Sequence, residues 1–225
     1  MLCFLCLLVA LPAPPVGDQR LQPDRFARLK IHKDFHVAIL FRQLEEEFPD
    51  RCVCIIDSKG CGFGNGMLVL RAAELSRQGL SAREAGQILE EEVPHICQYF
   101  TVNDLNFLKR SGRVSGATAA IGTVLNIKPI LYGSADGHIV ACGKVRGRKK
   151  AIDTLVETYA KKQVDAANHL VAISHGDCLA DAQLLAEKVR AVAAPKDILI
   201  VPHEPFSGAH VGPGMLALFF YGSER

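Results

Sequence analysis

The stretch Arg51-Cys-Val-Cys-Ile-Ile-Asp57 decides the fold class of this 225-residue chain. Its uninterrupted apolar run is typical of a strand that is buried on both faces of a sheet. The run ends in the turn Asp57-Ser-Lys-Gly60, and a glycine-rich segment, Gly60-Cys-Gly-Phe-Gly-Asn-Gly66, follows directly. Residues 67–78 then place apolar side chains at helical spacing, and Gly79 ends that helix. This order of strand, turn and helix indicates an α/β protein.

The rest of the chain keeps alternating between helical and extended patterns. Ser81-Ala-Arg-Glu84 is a capping box that starts a helix running to about Cys97, because the two outer side chains can satisfy each other's free backbone N–H groups. Two apolar runs, Lys128–Tyr132 and His138–Cys142, flank a glycine-bounded turn and predict a β-hairpin. The remaining predicted helices are 104–110, 115–125, 148–162 and 179–192, and the remaining predicted strands are 98–102, 169–174, 197–201 and 215–221. The second half of the chain can therefore form a layer of its own.

Composition and charge exclude several classes of protein. With 49% hydrophobic and 22% charged residues, the chain matches globular proteins that bury a core, and it does not match disordered or collagenous chains. Its 26 Lys and Arg against 24 Asp and Glu leave a formal net charge of +2, too balanced for a protein that binds nucleic acid through its phosphates. The 8 cysteines are too sparse for a disulfide scaffold. We expect buried free thiols in a reducing compartment and no metal site.

The first sixteen residues, Met1 to Val16, carry no charge. The run is shorter than the roughly 20 residues that a transmembrane helix needs. It lacks the basic residues that open a signal peptide, and Leu11-Pro-Ala-Pro-Pro15 is a poor cleavage site. A short signal peptide and a buried strand both stay open for this segment.

No catalytic set can be assembled from the spacing of the residues. The chain has no Gly-x-Ser-x-Gly elbow, Walker motif or His-Glu-x-x-His pair. The turn Gly62-Phe-Gly-Asn-Gly66 lies between a strand and a helix, where backbone amides can meet an anion. Its glycine spacing, and the second helix that follows, do not fit a dinucleotide-binding fold. We interpret the turn as tight packing, with a site for a small carboxylate or phosphate as the alternative, and we predict no catalytic residues.

Two polar features remain. The segment Ser207-Gly-Ala-His-Val-Gly-Pro-Gly214 places Ser207 and His210 in a Gly/Pro-rich turn between apolar strands, where a rigidly held imidazole could donate to a carboxylate oxygen. The segment Lys144-Val-Arg-Gly-Arg-Lys-Lys150 contains five positive side chains in seven residues. Cations at a helix start oppose the helix dipole, so this stretch indicates either a docking surface for an acidic partner or a phosphate, or a solvated helix start.

Several segments, taken together and in order, resemble the DegV family of bacterial fatty-acid-binding proteins. They are Cys54-Ile-Ile-Asp-Ser58 with its glycine-rich turn and Met67-Leu-Val69, Phe100-Thr-Val-Asn-Asp-Leu-Asn-Phe-Leu108, Ser111-Gly-Arg-Val-Ser115, Leu125-Asn-Ile-Lys-Pro-Ile-Leu131, Lys144-Val-Arg-Gly-Arg-Lys-Lys-Ala151 and Gly208-Ala-His-Val-Gly-Pro-Gly214. The resemblance covers about Phe48 to the C-terminus. It implies a two-domain α/β fold, with parallel strands in the N-terminal α/β domain and an α/β sandwich as the C-terminal domain. We expect residues 1–47 to be an atypical N-terminal segment, 48–122 to be the remainder of the N-terminal domain and 123–225 to be the C-terminal domain.

The resemblance also implies a function. Such a protein encloses a long-chain fatty acid between its two domains and presents the carboxylate to a dihydroxyacetone-kinase-like, ATP-dependent kinase partner, which forms the acyl phosphate. We expect a cytoplasmic, non-catalytic subunit with no cofactor beyond the fatty acid, no nucleic acid partner and transient membrane contact. The resemblance gives ligand-binding roles to His210, Ser207 and Ser58, and kinase-docking roles to Arg113 and Arg146.

The N-terminal part departs from the family pattern. Family members open with an Asp-Ser strand motif, a Thr-Ser turn and a Ser-Gly-Thr segment whose hydroxyls hold the carboxylate, and none of these precedes Phe48. We interpret residues 1–42 as foreign or out-of-frame sequence joined to a truncated family protein, so that the apolar run does not direct secretion. Two alternatives to a fatty acid carrier stay open: a standalone α/β enzyme acting on a small carboxylate or phosphate at the Gly62–Gly66 turn, and a non-functional family fragment.

Overall fold

A computed structural model describes residues 43–44, 46–49, 52–114 and 126–225, together with the backbone of residues 6–11. Fourteen helices and strands follow one another along these residues. In chain order they are β1 (Cys6–Leu11), β2 (Cys52–Asp57), α1 (Phe63–Arg77), α2 (Ala82–Glu92), β3 (Ile96–Thr101), α3 (Asn106–Arg110), β4 (Ile127–Gly133), β5 (Ile139–Arg146), α4 (Arg148–Lys162), β6 (Leu170–His175), α5 (Leu179–Val192), β7 (Asp197–Pro202), α6 (Pro205–Val211) and β8 (Leu216–Tyr221). The predicted α/β class is confirmed.

A six-stranded mixed sheet forms the centre of the molecule, with the strand order β5-β4-β3-β8-β6-β7. Strands β6 and β7 are parallel, because helix α5 connects them across the sheet, and every other neighbouring pair in this sheet is antiparallel. The predicted hairpin is confirmed as β4 and β5, which pair from Ile127↔Arg146 to Gly133↔Ile139.

The two faces of this sheet are covered by different helices. Side chains alternate along each strand, so Tyr99, Leu218 and Phe220 lie in one core with helices α4 and α5. Ala217 and Phe219 lie on the opposite face, in a second core with α1, α2 and β2. The side chain of Gln98 lies on this second face too, because its residue is paired with Phe219.

Strand β2 pairs with the apolar segment near the chain start. The register runs antiparallel from Cys6↔Asp57 to Leu11↔Cys52. Of the two interpretations of residues 1–16, the strand therefore describes the backbone of Cys6–Leu11. The pairing also differs from the expected parallel arrangement, because in the described residues β2 meets only this antiparallel neighbour.

Strand β3 pairs with strands from the other side of the expected domain boundary. It comes from the 48–122 segment, yet it lies between β4 and β8 of the 123–225 segment. The six-stranded sheet is thus built from both segments. The boundary at residue 122 and the predicted helix 115–125 lie outside the described residues, so the division into domains stays a prediction.

The capping box is confirmed, but the helix that follows it is shorter than predicted. Ser81 Oγ accepts a hydrogen bond from the Glu84 backbone N–H, and the Glu84 carboxylate accepts one from the Ser81 N–H. Helix α2 ends at Glu92 because Pro94 lies in a turn of 3-10 helix over Val93–His95. Cys97 therefore belongs to β3 and not to the helix.

The described cysteines are thiols in different environments. The six described cysteines outside β1 are free thiols, and two of them, Cys54 and Cys97, are buried. Cys142 is exposed, which differs from the expected burial. Among the described residues, no helix has the length and apolar character needed to cross a bilayer.

Candidate functional site

A cavity lies between the second face of the sheet, the turn at residues 59–61 and helix α6. About 740 Å³ of unoccupied space lies within the cavity and at its mouth, open solvent included. Its apolar wall consists of Tyr99, Phe100, Leu108, Ile139, Phe206, Val211, Met215, Ala217 and Phe219. Its polar wall consists of Lys59, Gln98, Arg113, His203, Ser207 and His210. The cavity thus combines a long apolar surface with a few separate polar groups.

A hydrogen-bonded cluster beside α6 includes two residues of the cavity wall, His203 and Ser207. His203, whose side chain is 6% exposed, contacts Ser207 Oγ through Nε2 at 2.7 Å and Ser174 Oγ through Nδ1 at 3.1 Å. Ser207 Oγ also donates to the Glu204 carboxylate. We call these four residues the His203 cluster; sequence reasoning identified only Ser207 among them.

The protons in the His203 cluster can be placed from its partners. A carboxylate only accepts, so the single Ser207 proton goes to Glu204, and Ser207 Oγ must accept from His203 Nε2–H. Burial lowers the pKa of His203 below its ordinary value of 6.5, although the neighbouring Glu204 charge acts in the opposite direction. The neutral imidazole therefore has its Nδ1 lone pair directed to the Ser174 hydroxyl. In this tautomer Nε2 carries the ring proton and donates it to Ser207 Oγ.

Because the His203 imidazole is buried, we expect the free energy of unfolding to fall in mild acid. Above pH 6.5 His203 is neutral in both the folded and the unfolded chain, and it contributes no pH dependence. Below this value the unfolded chain binds the proton more readily, so stability falls by at most about 1.4 kcal/mol per pH unit. Urea unfolding at pH 7 and pH 5 should show a smaller loss for His203→Gln than for the wild type. Equal losses in the two proteins would contradict this account.

His210 lies on a helix and not on the turn that the sequence predicts. Pro205 occupies the first turn of α6, which runs to Val211, and Gly212 ends it with a φ of 74°. Proline is favourable at a helix start because its φ is already helical, and the glycine and proline content of 207–214 concealed this. Ser207 and His210 are three residues apart and share one side of the helix. Both line the cavity, and their ligand-binding roles stay a prediction.

The loop after α6 is held by Arg148 from the predicted basic stretch. Arg148 Nη1 donates to Gly214 O at 2.8 Å, and Nε donates to Asp181 Oδ2 at 2.8 Å. Lys150 forms an ion pair with Glu157 at 3.0 Å. Four of the five cations, Lys144, Arg146, Lys149 and Lys150, are exposed. The stretch therefore serves two purposes, because one of its cations supports the loop and the other four lie on the surface.

The glycine-rich turn makes room for Gln98, a cavity residue that the sequence analysis missed. A methyl group on Gly60 would lie 2.2 Å from Gln98 Nε2, and one on Gly64 would lie 2.6 Å from Gln98 Cδ. Neither position tolerates a side chain while Gln98 stays in place. The turn and Gln98 are more than thirty residues apart in the sequence, so no local pattern could have joined them.

Two of the predicted site residues occupy unexpected places. Ser58 is 2% exposed and lies outside the cavity wall; its hydroxyl donates to Gly60 O and accepts from Gly60 N, both at 3.3 Å. We therefore assign it to shaping the turn instead of contacting the ligand. Arg113 lines the cavity, and its Nη1 donates to Ser111 O at 2.6 Å. A docking role for Arg113 stays a prediction, as does one for Arg146 on the exposed end of β5.

The Gly62–Gly66 turn is a poor site for a small anion. A methyl group on Gly62 would lie 3.5 Å from both Glu204 carboxylate oxygens and 3.1 Å from His203 Cε1. The positive end of helix α1 thus already faces a carboxylate of this chain, and a second anion there would be repelled. The described residues contain no group of three metal-ligating side chains.

Comparisons with known proteins agree with this architecture. The family model described as "Uncharacterised protein, DegV family" matches residues 40–223. A DegV domain-containing protein of Clostridium perfringens is 39% identical over 183 residues, covering 81% of this chain and 63% of that protein. The chain thus spans less than two thirds of this relative's length.

Solved structures show the same fold. A DegV family protein from Thermus thermophilus, described as fatty acid binding, is 32% identical, with a TM-score of 0.68 over 80% of this chain and 64% of the other. The fatty acid kinase B3 protein of Streptococcus pneumoniae, solved with linoleic acid, has a TM-score of 0.76 over 83% of this chain and 66% of its own. At 22% identity, the second likeness shows the fold alone. Together with the family match over most of the residues, the shared fold leads to one conclusion: the chain belongs to the DegV family.

Proposed function

We propose that this protein binds a long-chain fatty acid in the cavity and holds its carboxylate at the end formed by α6. One observation carries the proposal: a largely apolar cavity wall includes His210 and Ser207, two polar side chains on the same side of one helix. The fatty acid binding described for the DegV family protein from Thermus thermophilus supports the same ligand class.

Burial of the acyl chain supplies the binding energy. A sixteen-carbon acid has about 14 methylenes, and at about 0.8 kcal/mol each their burial contributes about 11 kcal/mol before association costs. Aromatic and aliphatic residues such as Phe100, Phe219 and Met215 provide the surface against which these methylenes pack.

The carboxylate is held chiefly by His210. Ser207 donates its only proton to Glu204, so it can offer a ligand no further hydrogen bond while that contact lasts. The Glu204 charge also repels a ligand carboxylate on this side. His210 is half-buried, and its ring lies edge-on to Phe206 with centroids 5.9 Å apart. Its ring N–H can donate to an anion without such competition.

We further propose that the bound acid is phosphorylated by an ATP-dependent, dihydroxyacetone-kinase-like partner in the cytoplasm. In this proposal the chain is a binding subunit that leaves the chemistry to its partner. The exposed Lys144, Arg146 and Lys149 offer an acidic partner a complementary surface. Formation of an acyl phosphate from the loaded protein, the kinase and ATP is the measurement that tests this part.

Replacing His210 with alanine should weaken fatty acid binding by tenfold to a hundredfold. The change removes a hydrogen bond to a charged group, worth about 1.5–3 kcal/mol. Calorimetric titration with hexadecanoic acid measures the effect, and native mass spectrometry of the purified protein reports lipid that is carried over from the cell. The matched control is His138→Ala, since His138 is exposed at the β4–β5 turn and is absent from the cavity wall. A wild-type protein that binds no fatty acid would refute the proposed function.

A further inference from the structure

The guanidinium of Arg225 joins two segments that are far apart in the sequence. Its Nη2 donates to Ser58 O at 3.1 Å, in the turn after β2, and its Nε donates to Ile96 O at 3.1 Å, at the start of β3. Nη1 is buried without a hydrogen-bond partner among the described residues, so the other two nitrogens fix the direction of the group. One side chain thus connects the turn at residues 58–61 to the central sheet.

The residues just before Arg225 set its position. Residues 222–224 follow strand β8, and each of them is hydrogen-bonded to another part of the chain. The contacts are Gly222 N–H to His95 O at 2.8 Å, Ser223 N–H to Lys162 O at 3.0 Å and Cys97 Sγ–H to Glu224 O at 3.1 Å. Together they hold the backbone beside the start of β3, within reach of both carbonyl oxygens that Arg225 contacts.

The turn at residues 58–61 has a conformation that requires support. Lys59 has a φ of 51°, in the left-handed region that residues other than glycine rarely adopt. Ser58 is buried, and its hydroxyl contacts both backbone groups of Gly60. Lys59, Gly60 and Cys61 then form part of the cavity wall. A contact that holds Ser58 therefore also holds the wall residues that follow it.

We propose that Arg225 is a positioning residue for fatty acid binding, and that it holds the turn at residues 58–61 against β3 in the conformation that lines the cavity. Gln98 makes a second contact between β3 and this turn, since its Oε1 accepts from the Cys61 N–H, but 3.4 Å is long for such a hydrogen bond. The charged donor is the stronger of the two. The inference rests on the proposed fatty acid binding and deepens it, because Arg225 itself does not line the cavity.

Replacing Arg225 with alanine should raise the dissociation constant for hexadecanoic acid by about tenfold, as expected when the ordered turn falls to about a tenth of the molecules. Calorimetric titration measures the constant. Guanidinium chloride at millimolar concentration should restore most of the affinity, because the free cation can occupy the space that alanine leaves and donate to the same carbonyl oxygens. Sodium chloride at the same ionic strength should restore none of it.

Arg225→Met distinguishes the lost hydrogen bonds from the lost volume. Methionine keeps an unbranched apolar stem and removes every donor, so this protein should bind as weakly as the alanine protein. Guanidinium should not rescue it, since the methionine fills the space. Hydrogen exchange of the ligand-free protein should be faster than in the wild type at residues 58–64 and unchanged in α5. Should the alanine protein fail to fold, the affinity and the exchange of Arg225→Met decide alone.

Arg190→Met is the matched control. Arg190 is exposed on α5, which packs on the opposite face of the sheet, so its replacement should leave affinity and exchange unchanged. If the wild type binds hexadecanoic acid and Arg225→Met binds it equally well, the inference is overturned while the proposed function stands. A folded alanine protein that guanidinium does not restore overturns it too. If the wild type binds no acid, the proposed function itself has failed.

Discussion

Replacing Ala217 with phenylalanine should reduce fatty acid affinity by about a hundredfold or more while the protein stays folded. Ala217 is 4% exposed, lies on the central strand β8 and forms part of the cavity wall. The added ring occupies space that about four methylenes of the ligand would fill. At about 0.8 kcal/mol for each methylene, the loss is about 3 kcal/mol.

Two measurements distinguish a filled cavity from an unfolded protein in the Ala217→Phe variant. Calorimetric titration gives the affinity, and the urea midpoint shows whether the ring is accommodated, since added core volume costs about 1–3 kcal/mol where no space is present. Ala217→Val is the graded control and should cost less affinity than the phenylalanine variant. Unchanged affinity in the phenylalanine variant would mean that the acid binds elsewhere.

Replacing Gly214 with alanine should destabilise the protein by about 3 kcal/mol or more. Gly214 has a φ of 78°, and an added methyl group would lie 1.8 Å from Asn103 Nδ2 and 2.5 Å from its Cγ. The carbonyl of Gly214 also accepts the hydrogen bond from Arg148, so a shift of this loop breaks that contact. In a chain of this size the melting temperature should fall by about 10 °C.

The control for this variant is Gly112→Ala. Gly112 has a φ of 69°, close to that of Gly214, but an added methyl group there meets no atom within 4 Å. Its replacement should cost only the backbone strain of about 1–2 kcal/mol. Thermal unfolding of Gly214→Ala and Gly112→Ala separates the cost of the contact with Asn103 from the cost of backbone strain. Equal costs at the two glycines would show that the Asn103 contact is unimportant.

Sequence reasoning succeeded where neighbouring residues decide the structure. Helices α4 and α5 begin and end at the predicted residues, because their apolar residues recur at helical spacing and the sequence changes sharply at both ends. The β4–β5 hairpin was predicted for the same reason, from two apolar runs around a glycine-bounded turn. Ser207 and His210 come from one local segment and both line the cavity, whereas their ligand-binding roles stay a prediction.

Sequence reasoning failed where distant segments meet. Gln98 is in the cavity wall only because β3 pairs with β8 and the 60–64 turn packs over it. His203 becomes part of a cluster through Ser174 on another strand. Helix α6 was missed for a local reason, since its glycine and the Gly-Pro-Gly that follows outweighed the Pro205 start. Each failure involves tertiary contacts or competing local signals that spacing alone cannot rank.

The position of β8 in the sheet has a consequence for how the chain acquires its structure. This strand comes after every other strand in the sequence, yet it pairs with both β3 and β6. During synthesis, the edges of β3 and β6 that face the centre of the sheet therefore stay unpaired until β8 has been made. Pairing over such sequence distances is slow and leaves strand edges exposed to aggregation. Newly made chains should therefore depend on chaperones until residues 216–221 have joined the sheet.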